Sequence, residues 1–460
     1  MSNDRVIGRI YISSIFKFLS PVIIGSGLNN ETDHDFLLNG NGIPFIPGTS
    51  IAGILRSALA NVEHGQEEED IIQQLFGKRG NGNSEADSSQ ISRLYVYDAH
   101  LLDEQSYSMS VRDGIRIEEQ TKVVKEGSKF DYQVLEPGCE FEFRFEVIVR
   151  QGDDDLALKG LLFEMLDKLI NGSVRFGAKT NRGFGYGKLS RQSIKILDLS
   201  LAGNNARAAF NQWLEFNWNS FCSNTIIEEW ASLRKRVKQD DWITFIIPFA
   251  IQSSILIRQY TNMVDSPDYH HLMSNNEAII PGTTWNGVIR HQVYRILREL
   301  GERDNRISEL IHYLFGFVDE AMNKAKASRI RFYETKIEGS REIKQTRVRI
   351  DRFTGGAATS ALFDSTPCFK GKTQLTIEIK KPQKYEIGIL LLVLKDLQEG
   401  YLAVGGETSI GRGILTGTHI FYIKDGEKRE VDSVFIEDHY NSLADYLIGE
   451  RRERREEVYR

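Results

Sequence analysis

The sequence predicts an α+β protein made of two tandem ferredoxin-like domains joined by a helical linker. Three observations carry this expectation. The 460 residues, 41% hydrophobic and 27% charged, suit a chain of roughly two to four globular domains, each able to bury its own core. A set of motifs in the first half recurs in the same order in the second. Each copy also carries the periodicity of strand, helix, strand, strand, helix and strand.

The duplication is the strongest of these signals. Ile46-Pro47-Gly48-Thr49-Ser50-Ile51-Ala52-Gly53-Ile54-Leu55-Arg56 returns as Ile280-Pro281-Gly282-Thr283-Thr284-Trp285-Asn286-Gly287-Val288-Ile289-Arg290. Leu75-Phe76-Gly77 matches Leu314-Phe315-Gly316, and Ser92-Arg93 matches Ser328-Arg329. Arg116-Ile117-Glu118 followed by Phe130-Asp131 matches Arg349-Ile350-Asp351 followed by Phe363-Asp364. Gly172, Gly177, Thr180, Gly183 and Gly185 match Gly400, Gly405, Thr408, Gly411 and Gly413. One short match could arise by chance; five in register mean a copied domain of about 200 residues, an ordinary domain size. The expected division is 1–199 for the first domain, 200–238 for the linker, 239–425 for the second domain and 426–460 for a charged tail.

Within a copy the elements follow in order. Val6 to Ile12 and Trp242 to Ile247 are β-branched, alternating runs, and each predicts an opening strand. The Ile-Pro-Gly turn leads into a helix with apolar residues at 51, 54, 55, 58, 59 and 62, and Thr49/Ser50 and Thr283/Thr284 are placed to cap it. Strand signals at 93–97 and 141–149 precede a second helix at 156–169 and a glycine-rich loop. In the linker, Phe210, Trp213, Leu214, Trp218 and Phe221 are spaced as a single helical stripe. Lys78 to Ser89 is polar and rich in Gly, Asn and Ser, hence a loop. The C-terminal RRERREEVYR reads as a helix end or a solvated tail.

Composition excludes several classes. The longest apolar runs, such as Ile387 to Leu394, are too short to span a bilayer, and no secretory signal precedes the first strand. Three cysteines and nine histidines form no zinc spacing, so a reducing, cytoplasmic setting is expected. A formal charge of −6 disfavours general polyanion binding, so any basic surface has to be local. The loop Gly405 to Gly413 resembles a phosphate-binding loop until Arg412-Gly413 stands where Lys-Ser/Thr is required, which argues against ATP.

Three groups of residues could carry chemistry. The helix turns, with Thr49, Ser50, Gly53, Arg56 and their twins Thr283, Thr284, Arg290, combine free amides and a cation suited to phosphate. An ordinary capped helix would look the same. Lys179, Arg182, Gly183, Gly185 and Lys188, with Phe184 and Tyr186 between them, interleave glycine, aromatics and cations; Gly411, Arg412 and Gly413 are the thinner second version. In the loop before each turn, Asp33 aligns with Asp268, with Asp35 and Asp265 as fallback acids and His34, His270 and His271 as possible proton-transfer helpers. A loop acid can bind Mg²⁺ or act as a general base toward a ribose 2′-hydroxyl, although most surface aspartates are merely solvated.

The Ile46-Pro47-Gly48-Thr49-Ser50 motif with Gly53 and Arg56, then Leu75-Phe76-Gly77 and a terminal glycine-rich loop, resembles the RAMP superfamily. More closely, the pair of copies resembles the double backbone subunits of type III CRISPR–Cas effectors, the III-D-like branch. That resemblance implies an inserted β-hairpin thumb in each domain, around Arg112 to Asp131 and Arg347 to Asp364, with Arg116 and Arg349 on the guide backbone. It further implies a guide RNA, a target RNA and neighbouring effector subunits as partners. A metal-dependent cut of the target would fall to Asp33 and Asp268, with Mg²⁺ as the cofactor. Two other readings of the same chain stay open: a non-catalytic guide scaffold and a nuclease that processes the guide precursor. An RNA helix is gripped through its phosphates and shape, and a flipped-out nucleotide leaves its 2′-hydroxyl able to line up with the adjacent phosphate.

Overall fold

Two ferredoxin-like sheets with helices packed on one face form the architecture seen in the computed structural model. It describes the chain apart from residues 1–4, 28–29, 61–65, 79–89, 116, 119–122, 235–241, 261–266, 320–321 and 459–460, and apart from the side chains of 67, 359–361 and 450–458. Arg116, Asp265 and nearly all of the expected polar loop after Lys78 therefore lie outside the described residues.

In the first repeat the elements are β1 (Val6–Phe18), α1 (Gly48–Ala60), α2 (Gln66–Phe76), β2 (Leu94–Val96), β3 (Met109–Gly114), β4 (Phe130–Leu135), β5 (Glu140–Arg150), α3 (Asp155–Ile170) and β6 (Gly187–Leu189). β5 and β6 flank β1 on either side, and β2 adds outside β5, all antiparallel. This is the ferredoxin-like order of fourth, first, third and second strand. β1 alternates as its sequence demands. Ile10, Ile12, Phe16 and Phe18 point into a core with Ile51, Leu55 and Leu59 of α1 and Leu158, Leu162 and Leu166 of α3. Arg9, Tyr11 and Ser13 fall on the opposite face.

That opposite face is not bare. β7 (Lys195–Ser200) extends the sheet along β1, and α4 (Ala206–Leu214) follows. Tyr11, Leu197, Leu199 and Phe221 form a second, smaller core with Trp213, Phe216 and Trp218 packed on it. The expected single helical stripe is therefore corrected. The helix ends at Leu214, which is exposed, and Trp218 and Phe221 reach the sheet from a turn beyond it.

The second repeat has β8 (Trp242–Ile251), β9 (Arg258–Tyr260), β10 (Tyr269–His271), α5 (Gly282–Glu299), α6 (Asp304–Phe315), β11 (Ile330–Phe332), β12 (Gln345–Ile350), β13 (Ala357–Thr366), β14 (Lys372–Lys380), α7 (Lys384–Gln398) and β15 (Leu415–Thr416). β8 again lies between β14 and the fourth strand, with β11 outside β14. The remainder is not a free tail. β16 (Phe421–Lys424) pairs with β8 and with β17 (Glu427–Glu430), while α8 (Ser433–Val458) buries Leu443 and Leu447 in the core shared with α7.

The chain divides into two compact units: one comprises Met1–Val111, Tyr132–Thr180 and Phe184–Gln239; the other comprises Arg112–Asp131, Asn181–Gly183 and Asp240–Arg460. Within the second unit the Arg112 guanidinium is buried and bonds the Glu334 carboxylate.

Several repeated motifs prove architectural. Ser92 and Ser328 hydroxyls donate to the carbonyls of Leu75 and Leu314, locking the end of the second helix to the second strand in both repeats. Arg93 pairs with Asp153, and Arg329 with Glu386, tying that strand to the start of the helix after the third strand. The extra helices α2 and α6 complete the core on this side and were absent from the simple six-element expectation.

Candidate nucleic-acid interface

The loop acids lie at the root of the hairpins. His34 forms a parallel bridge with Tyr132 on β4, and the amide of Gln133 donates to the His34 carbonyl. In the second repeat Tyr269 and His270 pair in parallel with Ser365 and Thr366 on β13. Because Phe130-Asp131 matches Phe363-Asp364, Tyr132 is the counterpart of Ser365, and the bridges make His34 the counterpart of Tyr269. Asp33 and Asp268, one residue earlier, occupy equivalent places, and both are exposed. The Asp268 carboxylate accepts the amide of Asp364 at 2.9 Å.

The neighbouring candidates are engaged structurally. Asp35 is buried and accepts the amides of Asn30, Glu31 and Thr32 and the Thr32 hydroxyl. Burial pushes its carboxyl up, but those donors outweigh burial and hold it below the ordinary aspartate value. It shapes the loop from within. His271 is fully buried, with Nδ1 accepting the Ile257 amide at 3.2 Å and Nε2 donating to the Ile279 carbonyl at 2.9 Å. Burial pushes its pKa down to about 4, so it is a neutral core histidine and not a proton-transfer helper. His270 is half-buried and His34 exposed.

A prediction follows from His271. A histidine whose folded pKa lies below its unfolded value contributes its full stability above the unfolded value, about 6.5, and loses it as pH falls toward about 4. Denaturant unfolding between pH 8 and pH 4 should therefore lose on the order of 3 kcal/mol from this group. A His271→Gln variant that retains the whole wild-type slope between pH 6.5 and pH 4 would contradict this.

The helix turns differ from expectation in their caps. α1 and α5 begin at the glycine itself; Pro281 is the N-cap of α5 and no side chain caps it, while the Gly48 amide donates to Asp98 at 2.7 Å. Thr49, Ser50, Thr283 and Thr284 are thus first-turn residues rather than caps. Gly48 and Gly282 sit hard against backbone, where a Cβ would lie 2.2 and 2.3 Å from the carbonyl oxygens of Val96 and Arg182. Gly53 and Gly287 are the opposite case. Both are exposed in mid-helix, and a Cβ on either would meet nothing within 4 Å. Glycine costs a helix interior about 1 kcal/mol relative to alanine, and no packing within the protein requires it here. The face around them carries Thr49 and the exposed Arg56 in one repeat and Thr283 and the half-buried Arg290 in the other.

The glycine-rich loops are built alike. The Ala178 amide donates to Ile23 and the Gly406 amide to Leu256; the Gly185 amide donates to Pro21 and the Gly413 amide to Ser254. A Cβ on Gly185 would lie 1.8 Å from the Phe176 carbonyl oxygen, and one on Gly413 would lie 1.9 Å from that of Val404. The close approach that these glycines permit is made by the chain's own backbone, which corrects their expected role at RNA. Gly183 likewise faces the backbone of Glu334, whereas Gly411 is open. Phe184 is buried, and Tyr186 lies under the Arg175 guanidinium, so neither is the free stacking surface expected. Arg182 and Lys188 are exposed.

Lys179 and Glu407 occupy matching places before the two short 3-10 turns, with left-handed φ of 55° and 56°. Lys179 lies 3.2 Å from the centre of the Tyr132 ring, which gathers the glycine loop and the thumb strand β4 beside the Asp33 loop. Glu407 is half-buried with its side chain covered; its carboxylate pairs with Arg412 at 2.7 Å and Arg347 at 2.9 Å and accepts the Tyr269 hydroxyl at 2.9 Å, with Arg258 at 3.6 Å. Arg412, a candidate RNA contact, is therefore turned inward at 2% exposure. Three guanidinium groups thus gather around one carboxylate near the root of this thumb. The cations that the second glycine loop lacks come from β9 and β12 instead. Arg349 projects from the exposed outer part of β12, and beyond it a turn held by Asp351 carries Phe353, completely exposed.

As for metal, no group of three or more His, Cys, Asp or Glu side chains among the described residues is arranged to hold an ion. At the second loop acid the donors are hard carboxylates: Asp268 has Asp364 alongside, whose Oδ1 is buried without a hydrogen-bond partner while Oδ2 meets Lys344. Such a set suits Mg²⁺ when water and substrate phosphate fill the remaining positions. Asp364 and its repeat partner Asp131 stand far from the loop acids in sequence, and only the pairing of the loop with the hairpin strand brings Asp364 to Asp268.

Two ferredoxin-like units, each repeat with its own loop acid at the root of a hairpin, define a class, and comparison supplies the family. The RAMP superfamily model matches residues 15–188 and 272–416, well over half of the chain in two blocks, so the protein belongs to the RAMP superfamily. It is thereby placed among CRISPR-associated RNA-binding subunits. The second block begins just after Asp268, so the second loop acid stands outside it and the first inside. No curated protein matches the chain. Among the described residues, no helix is long and apolar enough to cross a membrane.

Proposed function

We propose that this chain is a double backbone subunit of a type III CRISPR effector, each repeat holding a stretch of guide RNA and each loop acid cutting the paired target RNA. The observation that carries the reading is the equivalent placement of Asp33 and Asp268, both exposed, at the roots of the two hairpins. In this reading the carboxylate takes the proton of a ribose 2′-hydroxyl as its oxygen attacks the adjacent phosphorus and the 5′-oxygen leaves. Lys179 in the first repeat, and Arg258 and Arg347 in the second, lower the cost of charge on that phosphate. In the other form of the reading the loop acid holds Mg²⁺ in place of acting as the base, Asp268 with Asp364 in the second repeat and Asp33 in the first, and the ion would supply charge neutralisation there. The guide-processing reading would rest on His34 or His270, which are exposed and half-buried, and cleavage of repeat RNA by the isolated chain in EDTA would favour it.

Guide holding is assigned to the open helix faces, and glycine substitutions test it. Gly53→Ala and Gly287→Ala should each stabilise the protein by about 1 kcal/mol, because a helix gains an alanine with nothing to clash against. The same two changes should cut the RNA that co-purifies with the chain, measured as the absorbance ratio at 260 and 280 nm and on a denaturing gel. Gly185→Ala should do the reverse, lowering stability through a clash with Phe176 at a φ of 71°. Undiminished RNA in the double helix variant would remove these faces from the interface.

A further inference from the structure

The outer face of the first sheet holds a cleft that the loop acids and the helix faces do not use. Its volume is about 440 Å³, and it is lined by Arg9 and Tyr11 of β1, Tyr97, Arg144 and Glu146 of β5, and the turn Phe216 to Asn219. A volume of that size falls within the range of small-molecule sites. We propose that this cleft binds a single nucleobase, flat against Trp218 and hydrogen-bonded at its edge by the Asn217 and Asn219 amides.

Trp218 lines the cleft and is half-buried. Tyr11 stacks on Phe216 with ring centres 3.8 Å apart, which closes one end. Trp218 meets Tyr11, Tyr97, Phe216 and Phe221 at angles between 71° and 85°, so none of these four rings lies parallel to its indole. The Arg144 guanidinium lies over one face of the indole, 5.6 Å from its centre, which leaves the opposite face as the one a base would take. Offset stacking of a planar ring on an indole is the favoured geometry for such a guest.

Charge decides what kind of ring. Arg9 is paired with Glu146, and Arg144 with Glu142 at 2.8 Å, so the positive groups are cancelled one for one. Tyr97 donates its hydroxyl to Glu146 at 2.8 Å, completing that pair. A phosphate gains little in such surroundings, whereas a neutral heteroaromatic ring gives up little by leaving water. Hydrogen-bonding capacity nonetheless remains. The Asn219 carbonyl already accepts from Arg144 at 3.1 Å, which leaves its NH₂ to donate outward beside the exposed Asn217. A hydrocarbon side chain from a protein partner would strand these groups, but the edge of a base satisfies them.

The second repeat isolates the contribution of the turn. There Tyr333 donates to Glu378, the counterpart of the Tyr97–Glu146 pair, while Arg331 stands over Trp242 of the sheet at 4.1 Å. These pairs belong to the sheet; the cleft is what the 216–219 turn adds in the first repeat.

Full-length protein, titrated with AMP, GMP, CMP and UMP and with a short single-stranded RNA, should show saturable quenching of tryptophan fluorescence. Arg144→Gln and Asn219→Ala, which spare the ring cluster, should weaken binding about ten-fold. Trp218→Ala should abolish the response, provided its circular dichroism melt matches the wild type. A response to mononucleotides means that the free base suffices; one confined to the oligonucleotide means that the base must be presented by a strand. No saturation with any of these probes, wild-type affinity in both polar variants, or saturation by an aromatic peptide in place of nucleotides would overturn the proposal. RNA co-purifying with the same variants should be unchanged, which separates this cleft from the guide-holding faces.

Discussion

Alanine at Asp33 and at Asp268 should each erase one set of target-RNA cleavage products from the assembled complex, and the double variant should cut at neither. Loss of a general base or of a metal-holding carboxylate costs about 10² to 10⁴-fold in rate, so residual product should be invisible on the time scale of the wild type. Guide content and target affinity should remain, because both side chains are exposed and neither belongs to a core. Asp268→Asn is the sharper control. It retains an oxygen to accept the Asp364 amide at 2.9 Å, so the loop keeps its shape while the charge is gone. Unchanged product bands in both alanine variants would make the loop acids ordinary solvated aspartates and leave the chain a scaffold.

Removing the carboxylate of Glu407 should strongly destabilise the second unit. Arg412 is buried with that carboxylate as its ion-pair partner, and breaking such a pair typically costs 3 to 5 kcal/mol, because an uncompensated charge is left inside. Glu407→Ala should then lower the midpoint of thermal unfolding by about 10 °C. The pH dependence separates charge from shape. Burial pushes the Glu407 carboxyl up, but the Tyr269 hydroxyl and the Arg347, Arg412 and Arg258 guanidinium groups outweigh it and hold the carboxyl below its ordinary value of 4.5. A depressed carboxyl contributes stability above its unfolded pKa and loses it as pH falls through the folded value. The wild type should therefore lose stability steeply below about pH 4.5, and Glu407→Gln, less stable at pH 7, should run flatter there. Equal slopes below that pH would show that the arginines need only a hydrogen-bond acceptor.

The duplication and the ferredoxin-like plan were legible in the sequence because period-two and period-3.6 patterning survives in both copies of the chain. The opening strands, the helix after each Ile-Pro-Gly turn and the helix at 155–170 all fall where the hydrophobic spacing puts them. The pairing of Asp33 with Asp268 was likewise readable, and the bridges to Tyr132 and Ser365 give it a structural basis.

What sequence could not resolve was direction. Gly185 and Gly413 look like ligand glycines until the carbonyls of Phe176 and Val404 are found in the space beside them. Arg412 looks like a phosphate contact until a carboxylate five residues earlier, in a left-handed conformation, draws it inward. Arg258 and Arg347 are distant in sequence from that loop, and only the sheet brings them to it. The linker aromatics have helical spacing yet divide between a helix and a turn, because the surface that collects them is the back of a sheet.

The exchange of lysine for glutamate between positions 179 and 407 has a lasting result. A lysine at 407 would sit among three guanidinium groups, and a glutamate at 179 would press a negative charge on the electron-rich face of Tyr132. Each half has thus become an environment that rejects the other's side chain. Reverting to identical twins would take several coordinated replacements, and a loop transplanted from one half into the other would arrive without its counterions.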